Sequence, residues 1–296
     1  MPRLTDVRAP IDRFLAAFAG ELSPDDRLDF HVARHSPEGD TWLRVESYTT
    51  PLLARLVLEE YVIGGRMRGI VVMAFPRPEY ELPIFTVQLG GVGDRSIALL
   101  DVSPTVPDAD LSSLAPLAER HRAALGLEPT ETAWLQGICS PHLLHANYRE
   151  LDEERFVDAV GDYAGVWLDS FYRPGPPAAE GPRRDLTANA IYKFKHQLHH
   201  YDPAYGFFAR AWGKAAADAF VEIECGDDPA YVHRVAGEGA PKPWVDAQRR
   251  IVWDEPAQAE VLASPAEGQG AWRERVEAGA AADGFGIVTL EVLGRY

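Results

Sequence analysis

The chain has only two cysteines, Cys139 and Cys225, and they stand far apart in its 296 residues. That excludes a disulfide scaffold, and also a zinc site or iron–sulfur cluster held by four cysteines of one chain. Long apolar runs are missing too: no stretch of 18 apolar residues occurs, so no segment reads as a membrane-spanning helix. The common cofactor loops are absent. No Gly-x-Gly-x-x-Gly opens a helix after a strand-like run, and there is no Gly-x-x-x-x-Gly-Lys-Ser/Thr, which leaves dinucleotide or ATP binding by a standard loop without support. Neither Gly-x-Ser-x-Gly nor His-Glu-x-x-His is found. Positive charge is scarce: 29 Lys and Arg face 45 Asp and Glu, a formal charge of −16. Such a field argues against non-specific nucleic-acid binding and repels an acidic partner unless a local basic patch overrides it. The start, "MPRLTDVRAPIDRFLAAFAGELS", lacks a cationic segment followed by an apolar core and a cleavage site, so a cytoplasmic protein is expected.

What is present is a globular composition with 46% hydrophobic residues. Residues 41–103 read as strands broken by Gly and Pro: "TWLRVESYT" alternates, "GIVVMAF" is a short buried run, and "LPIFTVQLGG" and "SIALLDVSP" follow. The stretch 52–61, "LLARLVLEEY", fits strand or helix. Strands this close in sequence, with no helix between them, predict an antiparallel sheet. "LGGVGDRS" (89–96) is Gly-rich but flanked by strands and reads as a hairpin turn. Helical spacing marks Ile11, Phe14, Leu15 and Phe18, then 110–125, then 151–172 with Phe156, Val160, Tyr163 and Trp167 on one face. A Pro/Gly loop (174–184) precedes a helix over about 186–200, broken at Asp202-Pro203, with another helix from about 204 to 222.

The densest chemistry lies in "AIYKFKHQLHHYDPAYGFFARAWG" (190–213). His196, His199 and His200 could be metal ligands, a solvated cationic face, or a pocket wall meeting carboxylates of a ligand. No carboxylate recurs on that face at ligand spacing. Asp202, at the helix break, is either a cap or an acid aimed inward. Glu59, in an apolar stretch, is either an edge charge or a buried acid.

Five segments in register carry a resemblance: "YTTPLLARLVLE" (48–59), "VVMAFPRPEYELPIFTVQL" (71–89), "ALLDVSPT" (98–105), "DEERFVDAV" (152–160) and "YDPAYGFFARAWGKAAADAF" (201–220). Over roughly residues 20–225 the chain resembles the ferredoxin-dependent bilin reductases, whose superfamily includes red chlorophyll catabolite reductase. The resemblance implies an α/β fold, a three-layer α/β/α sandwich with a central antiparallel sheet. An open-chain tetrapyrrole then lies between the sheet and the C-terminal helices. It implies no bound cofactor or metal: electrons come singly from reduced ferredoxin, and protons come from carboxylates or histidine through substrate radicals.

Carried over residue by residue, the family acids fall on Glu59 and Asp202, both retained. The strand histidine of some members falls on Val71, and the central-strand acid falls on Gln88. An amide hydrogen-bonds a pyrrole or lactam but cannot donate a proton and recover it. Catalysis is thus expected from Asp202 and Glu59 around Gln88. His196, His199, His200, Tyr201, Val71, Phe85 and Arg210 are expected to bind substrate, and Lys193, Lys195 and Lys214 to dock ferredoxin. A non-catalytic tetrapyrrole carrier or sensor is the alternative that Gln88 leaves open. No membrane partner is expected.

Residues 226–250 read as a linker. Residues 252–293, "VWDEPAQAEVLASP" to "GIVTLEVL", resemble the small helical module ending the B subunit of light-independent protochlorophyllide reductase. The last unit, 251–296, is therefore expected to be a small helical module, with recruitment to a larger redox complex as one role for it.

Overall fold

The structure is a computed structural model describing residues 4–18, 20–24, 30–34, 41–92 and 95–201, together with 206, 208, 210–211 and 286–288. Its centre is one antiparallel sheet. Five long strands form the middle: β3 (Thr41–Thr49), β4 (Leu53–Ile63), β5 (Met67–Pro76), β6 (Ile84–Val92) and β7 (Arg95–Ser103). They are joined in sequence order, each paired antiparallel with the next. The β4–β5 hairpin turns through Gly64, Gly65 and Arg66, and both glycines take the positive φ (56° and 63°) that glycine adopts without strain. The stretch that fitted strand or helix is β4, a strand. "LGGVGDRS" spans the β6–β7 hairpin, as read.

Further strands extend the edges: β8 (Leu144–Arg149) beside β7, β2 (Phe30–Arg34) beside β3, and β9 (Gly286–Val288) beside β2, giving the order β8-β7-β6-β5-β4-β3-β2-β9. The two-residue β1 (Ser23–Pro24) pairs off this path with β3. β9 corrects part of the tail reading: Gly286–Val288, expected within a helical module, pairs with His31–Ala33 as a strand of the sheet. The rest of that module and the linker lie outside the described residues.

One face of the sheet carries α1 (Leu4–Ala16) and α4 (Glu153–Val166), with α2 (Ala115–Leu125) beside α4. Leu56, Leu58, Ile70, Val72, Phe85, Val87, Leu89, Leu100 and Val102 join Ile11, Phe14, Phe18, Phe156, Val160, Tyr163 and Trp167 in the main core. The predicted apolar faces of both helices are therefore the buried ones. Asp152 caps α4, accepting the Arg155 backbone N–H at 3.1 Å. α4 runs into a π-helical turn (Trp167–Tyr172), which swings the Trp167 indole N–H onto the Pro83 carbonyl at 2.9 Å.

The other face carries α5 (Pro182–Tyr201), near α3 (Ala133–Gln136). Its Phe194 ring meets Phe75 edge-on at 6.1 Å. α5 begins at Pro182, four residues before the expected start. With helices on both faces of an antiparallel sheet, the α/β/α sandwich is the observed architecture. No helix among the described residues is long and apolar enough to cross a membrane.

Candidate active site

Strand pleating sorts the predicted residues. Antiparallel partners point to the same face, so the register reads out a row across the sheet. Val45 pairs with Glu59, Glu59 with Val71, Val71 with Gln88, Gln88 with Leu99, and Leu99 with His145. Glu59, Val71 and Gln88, separated by 12 and 17 positions in the chain, thus stand side by side on the face beneath α5. Glu59 is fully buried at 0% exposure. Gln88 sits in the central strand with buried neighbours, yet keeps partial exposure. The floor is therefore accessible at Gln88.

Glu60, the neighbour of Glu59, has the opposite fate. It points to the α1 face, where Arg8 and Arg44 donate to its carboxylate at 2.8 and 2.7 Å. The Arg8 guanidinium is held in its charged form by Asp12 and Glu60 against the opposing effect of its burial. One residue of register decides which glutamate enters the site.

A second row follows on the same face: Ser47, Val57, Met73, Thr86 and Asp101. Asp101 is fully buried, and burial pushes its carboxyl up to about 6 against hydrogen bonds that hold it down. Those bonds come from the Ser103 hydroxyl (2.5 Å), the Ser140 hydroxyl (2.5 Å) and the Ser140 backbone N–H (2.9 Å). They pin the 137–143 loop to the sheet. The half-buried Cys139 thiol beside it is pushed well up by desolvation and by the Asp101 charge, which disfavours its reactive thiolate form. His145, at the end of the first row, is held below the usual imidazole range by burial, and its Nδ1 lies 3.0 Å from the Thr130 hydroxyl.

A third row is Leu43, Tyr61, Gly69, Gly90 and Ile97. Tyr61 is 2% exposed, and the Phe208 ring covers it edge-on at 5.3 Å. At the far end of the face, Arg55 pairs with Phe75, and both are buried. A register shift between Leu53 and Arg55 lets Leu53 join the core on the α1 side while Arg55 stays on the α5 side.

Two expectations need correction. Phe85 was expected to bind substrate, but strand alternation puts it on the opposite face, its ring 4.8 Å from Phe14 and 5.8 Å from Trp167. Lys195 was expected to dock ferredoxin at the surface. It is 8% exposed, and its Nζ lies 4.6 Å above the Phe75 ring, inside the α5–sheet layer. Arg55, the register partner of Phe75, and Lys195, over its ring, are thus both buried on the α5 side of the sheet. Lys193 is half-buried and Arg210 exposed. His196, His199, His200 and Tyr201 lie on the last turns of α5. Asp202 and Lys214 lie outside the described residues. Sequence reasoning missed Tyr61, Arg55, Thr86, Asp101 and His145. Once 53–63 is a strand, Tyr61 and Arg55 follow from Glu59 by twofold alternation, whereas His145 needs the register of β8.

Residues 22–223 match the family profile "Ferredoxin-dependent bilin reductase". The chain belongs to that family. Among curated relatives it is 26% identical, over 186 residues, to phycoerythrobilin:ferredoxin oxidoreductase of Gloeobacter violaceus, covering 59% of this chain and 74% of that one. It is also 26% identical, over 222 residues, to phycocyanobilin:ferredoxin oxidoreductase of a Synechococcus strain, covering 71% and 86%. Tomato phytochromobilin synthase, solved in complex with biliverdin, shares the fold at a TM-score of 0.64 and 17% identity, covering 83% of this chain and 92% of that one. As a ferredoxin-dependent bilin reductase the chain is an oxidoreductase that takes its electrons from ferredoxin. The family profile ends at residue 223, before the tail.

Proposed function

We propose that this bilin reductase binds a linear tetrapyrrole on the α5 face of the sheet and reduces it by single-electron transfers from ferredoxin. Each transfer is coupled to protonation inside the pocket. The observation that carries the reading is the Glu59–Val71–Gln88 row, buried at one end and accessible at Gln88. A flat conjugated ligand lying along this row meets a carboxyl group at β4 and an amide at β6. Gln88 holds a pyrrole N–H or a lactam through hydrogen bonds. Arg55, the register partner of Phe75, and Lys195, over its ring, supply positive charge on the α5 face for acidic substituents of the ligand.

Asp202 and Glu59 are the carboxyl groups assigned to proton delivery, and His196, His199 and His200 are assigned to substrate binding. When one electron enters the tetrapyrrole, a proton leaves a pocket acid and forms a C–H or N–H bond on the resulting radical. A second electron and proton complete a two-electron reduction.

The test is anaerobic absorption spectroscopy of the protein with biliverdin, before and after reduced ferredoxin is added. The expected outcome is a bound spectrum that bleaches or moves to a new band. Asp202→Asn is expected to keep the bound spectrum and lose turnover; turnover at the wild-type rate in that variant ends the assignment of Asp202. Gln88 favours one second reading, a tetrapyrrole carrier that does not reduce. A wild-type bound spectrum unchanged by reduced ferredoxin establishes that reading instead.

A further inference from the structure

Tyr61 and its two glycines have no place in the function as derived so far. The ring lies flat across the sheet. A side chain at Gly69, its partner on β5, would overlap the Tyr61 ring itself, and a methyl group at Gly90 on β6 would lie 2.8 Å from the Tyr61 hydroxyl. The phenol therefore starts on β4, passes over β5 where Gly69 leaves the backbone bare, and places its oxygen between Gly69 on β5 and Gly90 on β6. One strand spacing is about 4.8 Å, so a tyrosine ring laid flat on the bare backbone of Gly69 carries a β4 hydroxyl past β5 to the gap between β5 and β6. Phe208 presses on the ring from above at 5.3 Å, 70° from coplanar.

Gly90 is two residues from Gln88 on the same strand and face, about 7 Å along it. The Tyr61 hydroxyl thus reaches the neighbourhood of Gln88, the position where this chain has an amide in the first row. A phenol donates a proton, and an amide does not. The tyrosine on β4 brings an O–H to the flank of β6, a strand that offers no acid of its own.

Resting on the reading of this face as a bilin-reduction site, we propose that Tyr61 is a proton donor to the tetrapyrrole, supplying from β4 the proton that Gln88 cannot. One electron from reduced ferredoxin enters the conjugated system. The Tyr61 O–H bond breaks and its proton forms a C–H or N–H bond on the ligand, leaving a neutral ligand radical and a phenolate. The phenolate takes a proton from water before the next electron arrives.

The experiment compares wild type, Tyr61→Phe and the Tyr61→Phe/Gln88→Asp double variant, using biliverdin as probe under anaerobic single-turnover conditions with reduced ferredoxin. Phenylalanine keeps the ring over Gly69 and beneath Phe208, so thermal unfolding and biliverdin affinity are expected to match wild type. Turnover is expected to fall about 100-fold or more, the scale of a lost general acid. An organic radical signal should persist in the electron paramagnetic resonance spectrum. Gln88→Asp, which places a carboxyl group on β6, is expected to restore at least a tenth of wild-type turnover in the Tyr61→Phe background and to introduce a carboxylate limb into its pH profile. A purely structural tyrosine moves neither the radical signal nor the pH profile. Tyr61→Phe turnover within about threefold of wild type overturns the assignment of Tyr61 and leaves the reductase reading standing. Wild-type protein that binds biliverdin without reducing it overturns both.

Discussion

Adjacent residues with the same side chain reach different chemistry here because pleating sends them to opposite faces. Glu60 is committed to Arg8 and Arg44 on the α1 side, whereas Glu59 is enclosed beneath α5. Asp101 shows what enclosure does to an acid. Its carboxyl rises from 3.8 to about 6, with burial as the largest cause. Because the folded value exceeds the unfolded one, Asp101 contributes most to stability below about pH 4. That contribution is lost as the pH rises through about 6. A shift of about two units corresponds to about 3 kcal/mol. Wild type is therefore expected to lose about 3 kcal/mol relative to Asp101→Asn between about pH 3 and pH 7, read from denaturant unfolding at each pH. Parallel stability curves for the two proteins would remove Asp101 as the source.

At the scale of elements, each helix is fixed by one apolar stripe and by its ends. α4 turns Phe156, Val160 and Tyr163 into the core, and its first turn carries Glu153 and Glu154 where the helix dipole favours them. Loss of the Asp152 cap in Asp152→Ala is expected to cost about 1 kcal/mol, seen as a lower urea midpoint with unchanged slope. An unchanged midpoint would mean that water satisfies the Arg155 N–H equally well. The β4–β5–β6 ladder arranges the residues of the candidate site. Its register sets Glu59 beside Val71 and Gln88, and its bare backbone at Gly69 and Gly90 admits the Tyr61 ring.

For the whole molecule, the charge of −16 sets the terms for meeting an acidic electron donor. Association has to rely on local cations against a repulsive field, and such contacts weaken as salt screens them. Turnover with reduced ferredoxin is expected to fall as ionic strength rises from about 0.05 to 0.5 M, across which the Debye length shrinks severalfold. Charge reversal in Lys193→Glu should raise the KM for ferredoxin while biliverdin affinity stays constant. Salt-independent turnover would count against a docking face on α5. Lys195, buried over Phe75, is unavailable to any such face.

The sequence by itself determined the fold class, the antiparallel order of the central strands, the buried faces of α1 and α4, and the family. These rest on short-range patterns: twofold and 3.6-residue periodicity, Gly and Pro punctuation, and five segments in order. By resemblance it also singled out Glu59 and Gln88 as candidates. What it left ambiguous was 52–61, because an apolar run with two charges satisfies strand and helix alike until its partners are present. Only the tertiary structure decided which face each residue takes. The bulge after Leu53 shifts that alternation, Phe85 falls on the core side, and Lys195 turns inward. Tyr61 comes to lie across two strands because Gly69 and Gly90, distant in the chain, leave room side by side. Pairing register is a long-range property: it is set by backbone hydrogen bonds between strands, and no local window of sequence contains both partners.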